Sequence, residues 1–155
     1  MMKAIRYAAV SLLLILLLSA CGGGTSSEED ISLSGDWQGI LSHVLVEGPC
    51  PTTPTQQGTV RIEQDGSAFT MQFGEGFTCN PPEACAFSGE IDGMVLTASN
   101  GGPADNQGGT YTTTMTVVVS PGGETADGTG TSMYVHPEMT CEWTTSLTLT
   151  RGGSE

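Results

Sequence analysis

Positive charge is almost missing from this chain. Its 4 lysines and arginines face 17 acidic residues, for a formal net charge of −13. A basic patch for nucleic acid or for anionic lipid headgroups is thereby excluded, because both need clustered cations. Helical periodicity is missing as well. From Gly35 onward no window repeats apolar residues at helical spacing, while period-two alternation recurs. Catalytic signatures are missing too: there is no Gly-x-Ser-x-Gly, no HExxH and no Walker loop. We therefore expect neither an enzyme nor a cofactor. The acidic turns at Asp105-Asn106 and Asp127 lack the Asp-x-Asp-x-Asp-Gly spacing of a calcium loop. They read as ordinary turn chemistry. The longest apolar run, residues 7–20, is short of the roughly 20 residues that span a bilayer.

That run has a different use. Lys3 and Arg6 precede it, and the small residues Ser19 and Ala20 close it. This is the layout of a secretory signal. Leu18-Ser19-Ala20-Cys21 resembles the lipobox of bacterial lipoproteins. The resemblance implies that Cys21 is lipidated and becomes the first mature residue. Several acyl tails would then anchor the chain in a membrane. Gly22, rather than aspartate, follows the cysteine, which implies sorting to the outer membrane of a bacterial envelope. The expected organisation is a signal peptide at 1–20, a lipidated cysteine and flexible tether at 21–34, and one domain at 35–152. Without its signal the chain keeps Arg61 and Arg151 against all 17 acids, a formal charge of 2 − 17 = −15.

Apart from Cys21 there are Cys50, Cys79, Cys85 and Cys141. An even number in an exported chain argues for two disulfides, with three connectivities open. A zinc site using Cys79, Cys85, His136 and Cys141 is the weaker reading, because no CxxC is present and the compartment is oxidising. No metal is expected.

The rest is strand after strand. Trp37, Gly39, Leu41, His43 and Leu45 share one face of residues 36–46. Val60 and Ile62 alternate with Arg61 and Glu63. Phe69, Met71 and Phe73 alternate with polar neighbours, as do Cys85, Phe87 and Ile91. Residues 94–99 form a short strand. Tyr111, Thr113, Met115, Val117 and Val119 share a face. A weak strand lies within 126–135, and Cys141 to Arg151 alternates most cleanly of all. Asp65-Gly66 and Asp92-Gly93 are hairpin turns. About eight antiparallel strands result, with two closures available: an up-and-down barrel or a two-sheet sandwich. In a barrel the tight turns fall at one end. The longer loops at 48–57, 74–84, 100–109 and 136–139 fall at the other. A Cys50–Cys141 bridge would staple the first strand to the last there, and Cys79–Cys85 would close one loop.

Leu33-Ser34-Gly35-Asp36-Trp37 resembles the Gly-x-Trp opening of calycin barrels, the lipocalins and avidins among them. In those, an arginine late in the last strand packs on that tryptophan at the closed end. Arg151 stands in the matching place, so a Trp37–Arg151 pair and an eight-stranded barrel are implied. The polar biotin-binding residues of an avidin have no counterpart in Gly39-Ile40-Leu41-Ser42-His43, so no ligand is carried over.

Two functions follow as expectations. The first is a lipocalin-like barrel taking a small apolar or amphiphilic ligand at its loop-lined end. His43, Phe69, Met71, Phe73, Phe87, Tyr111, Met115 and Trp143 are its candidate lining. The second is an envelope structural or protein-interaction module with a filled barrel, protease-inhibitor-like barrels included. Partners are thus the membrane through the lipid, and a small ligand or an envelope protein.

Overall fold

Strict alternation survives in three dimensions. A computed structural model describes residues 31–52 and 54–152. The expected signal segment, Cys21 and the expected tether up to Asp30 lie outside them. Eight strands form: β1 (Gly35–Glu47), β2 (Gln56–Asp65), β3 (Ala68–Phe73), β4 (Ala86–Asp92), β5 (Val95–Pro103), β6 (Thr110–Val119), β7 (Thr125–His136) and β8 (Met139–Arg151). Each pairs antiparallel with the next, and β1 pairs with β8. The sheet is a closed up-and-down barrel, not a sandwich. Closure leaves no edge strand exposed along the seam.

The inward residues build the core. Trp37, Val60, Ile62, Met71, Leu96, Val117, Leu147 and Leu149 are all but fully buried. Fully burying such an aliphatic side chain contributes roughly 1.5–3 kcal/mol. Four of the five outward positions of β6 are threonines, Thr110, Thr112, Thr114 and Thr116, and the fifth is Val118; all are exposed. β-branched polar residues suit a pleated surface that faces water. Two inward glycines permit close approaches. A Cβ on Gly39 would meet Val60 Cγ2 at 2.8 Å and Phe77 Cζ at 3.2 Å. A Cβ on Gly130 would collide with the Thr114 carbonyl oxygen, so β7 presses its backbone onto β6 there.

Several boundaries differ from the sequence reading. β2 begins at Gln56, so the first long loop ends at Thr55. β5 continues through Asn100-Gly101-Gly102 to Pro103, which shortens the next loop to 104–109. Those residues pair only with β6, since the β4–β5 ladder stops at Ser88↔Ser99. Pro103, which has no N–H to give, is tolerated on that unpaired side. Cys85 sits in a 3-10 turn, Pro82–Cys85, rather than in β4.

The lower end is closed by the chain's own start. Leu33 is buried and Ile31 packs against the core. The Trp37 indole N–H donates to the Leu33 carbonyl at 3.0 Å. Leu33 N–H donates to Gln64 Oε1, and Gln64 N–H to Ser34 Oγ. Residues 31–34, assigned by the sequence reading to a flexible tether, are therefore part of the barrel floor. Arg151 locks that floor. Its Nε donates to the Gly123 carbonyl at 3.1 Å and its Nη2 to the Ser32 carbonyl at 2.6 Å.

Both disulfides form at the upper end, as Cys50–Cys141 and Cys79–Cys85. The first spans 91 residues and ties the end of β1 to the start of β8. A link over so long a loop adds about 4–5 kcal/mol in the chain-entropy account. The unit Ile31–Glu155 thus has its own core, floor and cross-links, as an independently folding domain requires.

Candidate functional site

Above the core the interior is not filled. The upper end holds an open cavity of about 440 Å³. That is near the lower end of the range for small-molecule sites. Its height follows from strand length. The long strands β1, β6, β7 and β8 rise past the packed layers, while β3 ends at Phe73 and β4 begins only at Ala86. The 3-10 turn and the Cys79–Cys85 bridge fill the gap above β3 and β4. Asn100 Nδ2 donates to the Ala84 carbonyl at 2.7 Å and holds that turn against β5. Asn100 Oδ1 is buried without a partner. On the outer side of the gap lies a groove whose walls share Phe87 and Tyr111 with the cavity.

One side of the cavity is apolar. Leu41, Phe73, Phe87 and Met115 line it. Phe73 makes edge contacts with Phe77 at 4.8 Å and Phe87 at 5.5 Å between ring centroids. Such pairs add about 0.5–1.5 kcal/mol beyond their burial and hold the wall rigid.

The other side is a belt of hydrogen bonds crossing four strands. Thr113 Oγ1 on β6 donates to Ser132 Oγ on β7 at 3.1 Å. Ser132 Oγ and the fully buried Thr145 Oγ1 on β8 lie 2.9 Å apart. Thr145 Oγ1 lies 2.9 Å from His43 Nδ1 on β1. A hydroxyl has one proton to give. A run in the direction Thr113 to Ser132 to Thr145 assigns the Thr145 proton to His43 Nδ1 and leaves Nε2–H as a donor. Burial lowers the pKa of His43 below the ordinary histidine value. The neutral ring that this run requires is thereby favoured. Trp143 lines the cavity beside the belt, and its Nε1–H is buried without a hydrogen-bond partner. An orphaned buried donor is uncommon in native proteins.

The rim is set by Asp105. Its Oδ1 accepts from Gln107 N–H at 2.7 Å and Gly109 N–H at 2.9 Å, and its Oδ2 accepts from Tyr134 O–H at 2.8 Å. These bonds hold its carboxyl below the usual carboxylate range, the Gly109 N–H first among them. The same contact, with Asp105 as acceptor, raises the Tyr134 phenol. Asp105 is thus the turn residue the sequence suggests, but one that ties the 104–109 loop to β7.

Of the eight candidate lining residues, His43, Phe73, Phe87, Tyr111, Met115 and Trp143 line the cavity. Phe69 and Met71 do not. Both point inward as expected, but they lie on the lower part of β3 and are buried in the packed core. Their parity was legible and their height was not. Thr113, Ser132, Thr145 and Asp105 were not among the candidates. Thr113 and Thr145 carry a readable signal, since each shares parity with apolar inward neighbours where a hydroxyl is out of place. Ser132 lies in the glycine-rich β7, where alternation is faint.

All four cysteines of the barrel are spent on disulfides, so none is left to ligate zinc. Among the described residues no group of three or more His, Cys, Asp or Glu is placed to hold a metal ion. No helix of the described residues is long and apolar enough to cross a membrane. The guanidinium of Arg151 stands over the Trp37 ring at the end opposite the cavity. Compared with known proteins, the chain matches no family model, no curated protein and no solved structure.

Proposed function

We propose that this chain is a lipid-anchored bacterial envelope protein whose lipocalin-like barrel binds a small amphiphilic ligand at its loop-lined end. The observation that carries this reading is the cavity itself: one apolar wall, one hydrogen-bonded belt, and the unpartnered Trp143 N–H beside that belt. Binding rather than turnover is the proposed activity. The anchor part of the reading rests on Lys3, Arg6 and Leu18-Ser19-Ala20-Cys21. With the chain entering at the floor beside Trp37, the cavity mouth would face away from the membrane.

Native mass spectrometry of the barrel purified from its host tests the binding reading. A stoichiometric small-molecule adduct that is lost in Ser132→Trp, where the indole fills the cavity, supports it. Absence of any adduct, together with no binding by a panel of small amphiphiles, removes it. The anchor is tested separately: Cys21→Ser should leave the membrane fraction or stop maturation, and unchanged fractionation with normal processing counts against lipidation.

The second reading, a protein-interaction module, has one observation in its favour. Val44 and Val46 on β1 are 65% and 60% exposed, and Met133 and Val135 on β7 flank the same stretch of β8. Val44→Thr/Val46→Thr separates the readings. Loss of a captured envelope partner with ligand binding intact favours the module. An inhibitor-like action through the N-terminal segment fits poorly, because residues 31–34 are held in the floor.

A further inference from the structure

The cavity is chemically one-sided in charge. Arg61 and Arg151 are the chain's only arginines or lysines after Arg6. Arg61 lies on the outside of β2, paired with Asp36 and Glu63. Arg151 is spent on the floor. No lysine or arginine therefore lines the cavity. The segments around its mouth are acidic instead. Glu47 ends β1, Glu75 and Glu83 lie between β3 and β4, Asp105 sits on the rim, Glu138 is in the β7–β8 turn, and Glu142 is near the start of β8. Their field reaches the wall: burial first, and the Glu83 carboxylate second, raise the Tyr111 phenol.

We infer that the cavity selects an amphiphile without negative charge and rejects the carboxylate or phosphate ester of the same apolar body. This deepens the binding proposal and rests on it. An anion would first cross a mouth of like charge, where fields in clefts change local ligand concentration by about ten- to a thousandfold. Inside, it would exchange water for neutral groups only, the His43 ring and the hydroxyls of the belt among them. A buried charge without a counter-ion is costly, and neutral hydrogen bonds offset only part of that cost. An uncharged hydroxyl, carbonyl or ether avoids both penalties. Asp105 does not alter this, because its carboxylate is already occupied by three donors.

The test is a matched pair of probes. The chain from Gly22 onward, free of signal and lipid, is titrated calorimetrically with decan-1-ol and with decanoate at low salt. At about pH 8 the decanoate is fully ionised. Decan-1-ol should bind about tenfold or more tighter than decanoate. The Glu75→Gln/Glu83→Gln/Glu138→Gln chain changes exposed side chains only and should narrow the gap. Decanoate binding as tightly as decan-1-ol, or tighter, overturns the charge selection while leaving the cavity reading in place. An unchanged gap in the triple variant overturns the rim's part in it. If neither probe binds, nor any of the wider panel of amphiphiles, the binding reading itself falls, and this inference with it.

Discussion

Arg151 stacks on Trp37 with its guanidinium carbon 4.9 Å from the ring centroid, and in register the two residues face each other across the β1–β8 seam. The same side chain reaches Ser32 before β1 and Gly123 in the turn before β7. One residue thus joins the first strand, the last strand, the N-terminal plug and a turn.

Arg151→Ala should therefore be costly for a position near the chain's end. The stacked cation contributes roughly 0.5–2 kcal/mol, and each charge-assisted bond to a carbonyl about 1.5–3. We expect a loss of about 2–4 kcal/mol, discounted for partial exposure. Arg151→Lys should recover less than half, because an ammonium cannot fork to both carbonyls while stacking. Urea midpoints of the three chains give the order, and decan-1-ol affinity should stay unchanged throughout.

His43 makes stability depend on pH in a stated direction. Burial lowers its folded pKa below the unfolded value of 6.5. The unfolded chain therefore takes up the proton more readily, and stability falls as acidity rises. The contribution is complete above about pH 6.5 and is lost as pH drops through the lowered folded value. Protonation would also force Nδ1 to donate and turn the Thr145 and Ser132 hydroxyls around. His43→Gln, whose amide can still meet Thr145, should flatten the fall in urea midpoint between about pH 7 and 5. An equal slope in both chains would contradict the role given to this ring.

The two disulfides should differ sharply in worth. Cys50→Ser/Cys141→Ser opens a link over 91 residues, and Cys79→Ser/Cys85→Ser opens one over only 6. The chain-entropy account gives about 4–5 kcal/mol for the first and about 2 for the second. The short bridge should matter more for binding, since it shapes the turn that walls the cavity. Denaturation and decan-1-ol titration of both pairs would reveal a reversed order.

Asp105 should control local order rather than global stability. Asp105→Ala removes the acceptors for Gln107 N–H, Gly109 N–H and the Tyr134 hydroxyl. Amide exchange at residues 107 and 109 should accelerate while the strands stay protected. Asp105→Asn keeps one oxygen for the two amides and should preserve most of their protection. Matching acceleration in both variants would mean that the charge, not the hydrogen-bond geometry, organises the loop.

Much of this architecture can be read from parity. Alternation places Trp37, Phe73, Met115, Trp143 and Arg151 on the inside, and closure of an even-stranded meander brings Trp37 to Arg151. Height is harder. Phe69 and Phe73 have equal parity and chemistry, yet one is packed core and the other cavity wall, because only the neighbouring strands' lengths decide where packing stops. β5 runs past its expected end at residue 99 although Asn100-Gly101-Gly102-Pro103 has loop composition. It is a strand only because β6 supplies a ladder on one side. Leu33 is hidden for a similar reason: one apolar residue in a polar stretch shows no period, and its value appears only when Gln64 and Trp37 meet it.

Because β1 and β8 share one ladder, the fold has an order of assembly that its strand list conceals. Hairpins such as β2–β3 and β6–β7 can form from local sequence, but the seam needs residues about the full length of the domain apart. Such non-local pairing is slow relative to hairpin formation. In a chain crossing a membrane N-terminus first, β1 would emerge with its upper half lacking any partner until β8 arrives. Ser42 to Glu47 pair with β8 alone. The Cys50–Cys141 bridge would then be formed across a seam already in register, recording the completion of the barrel rather than guiding it.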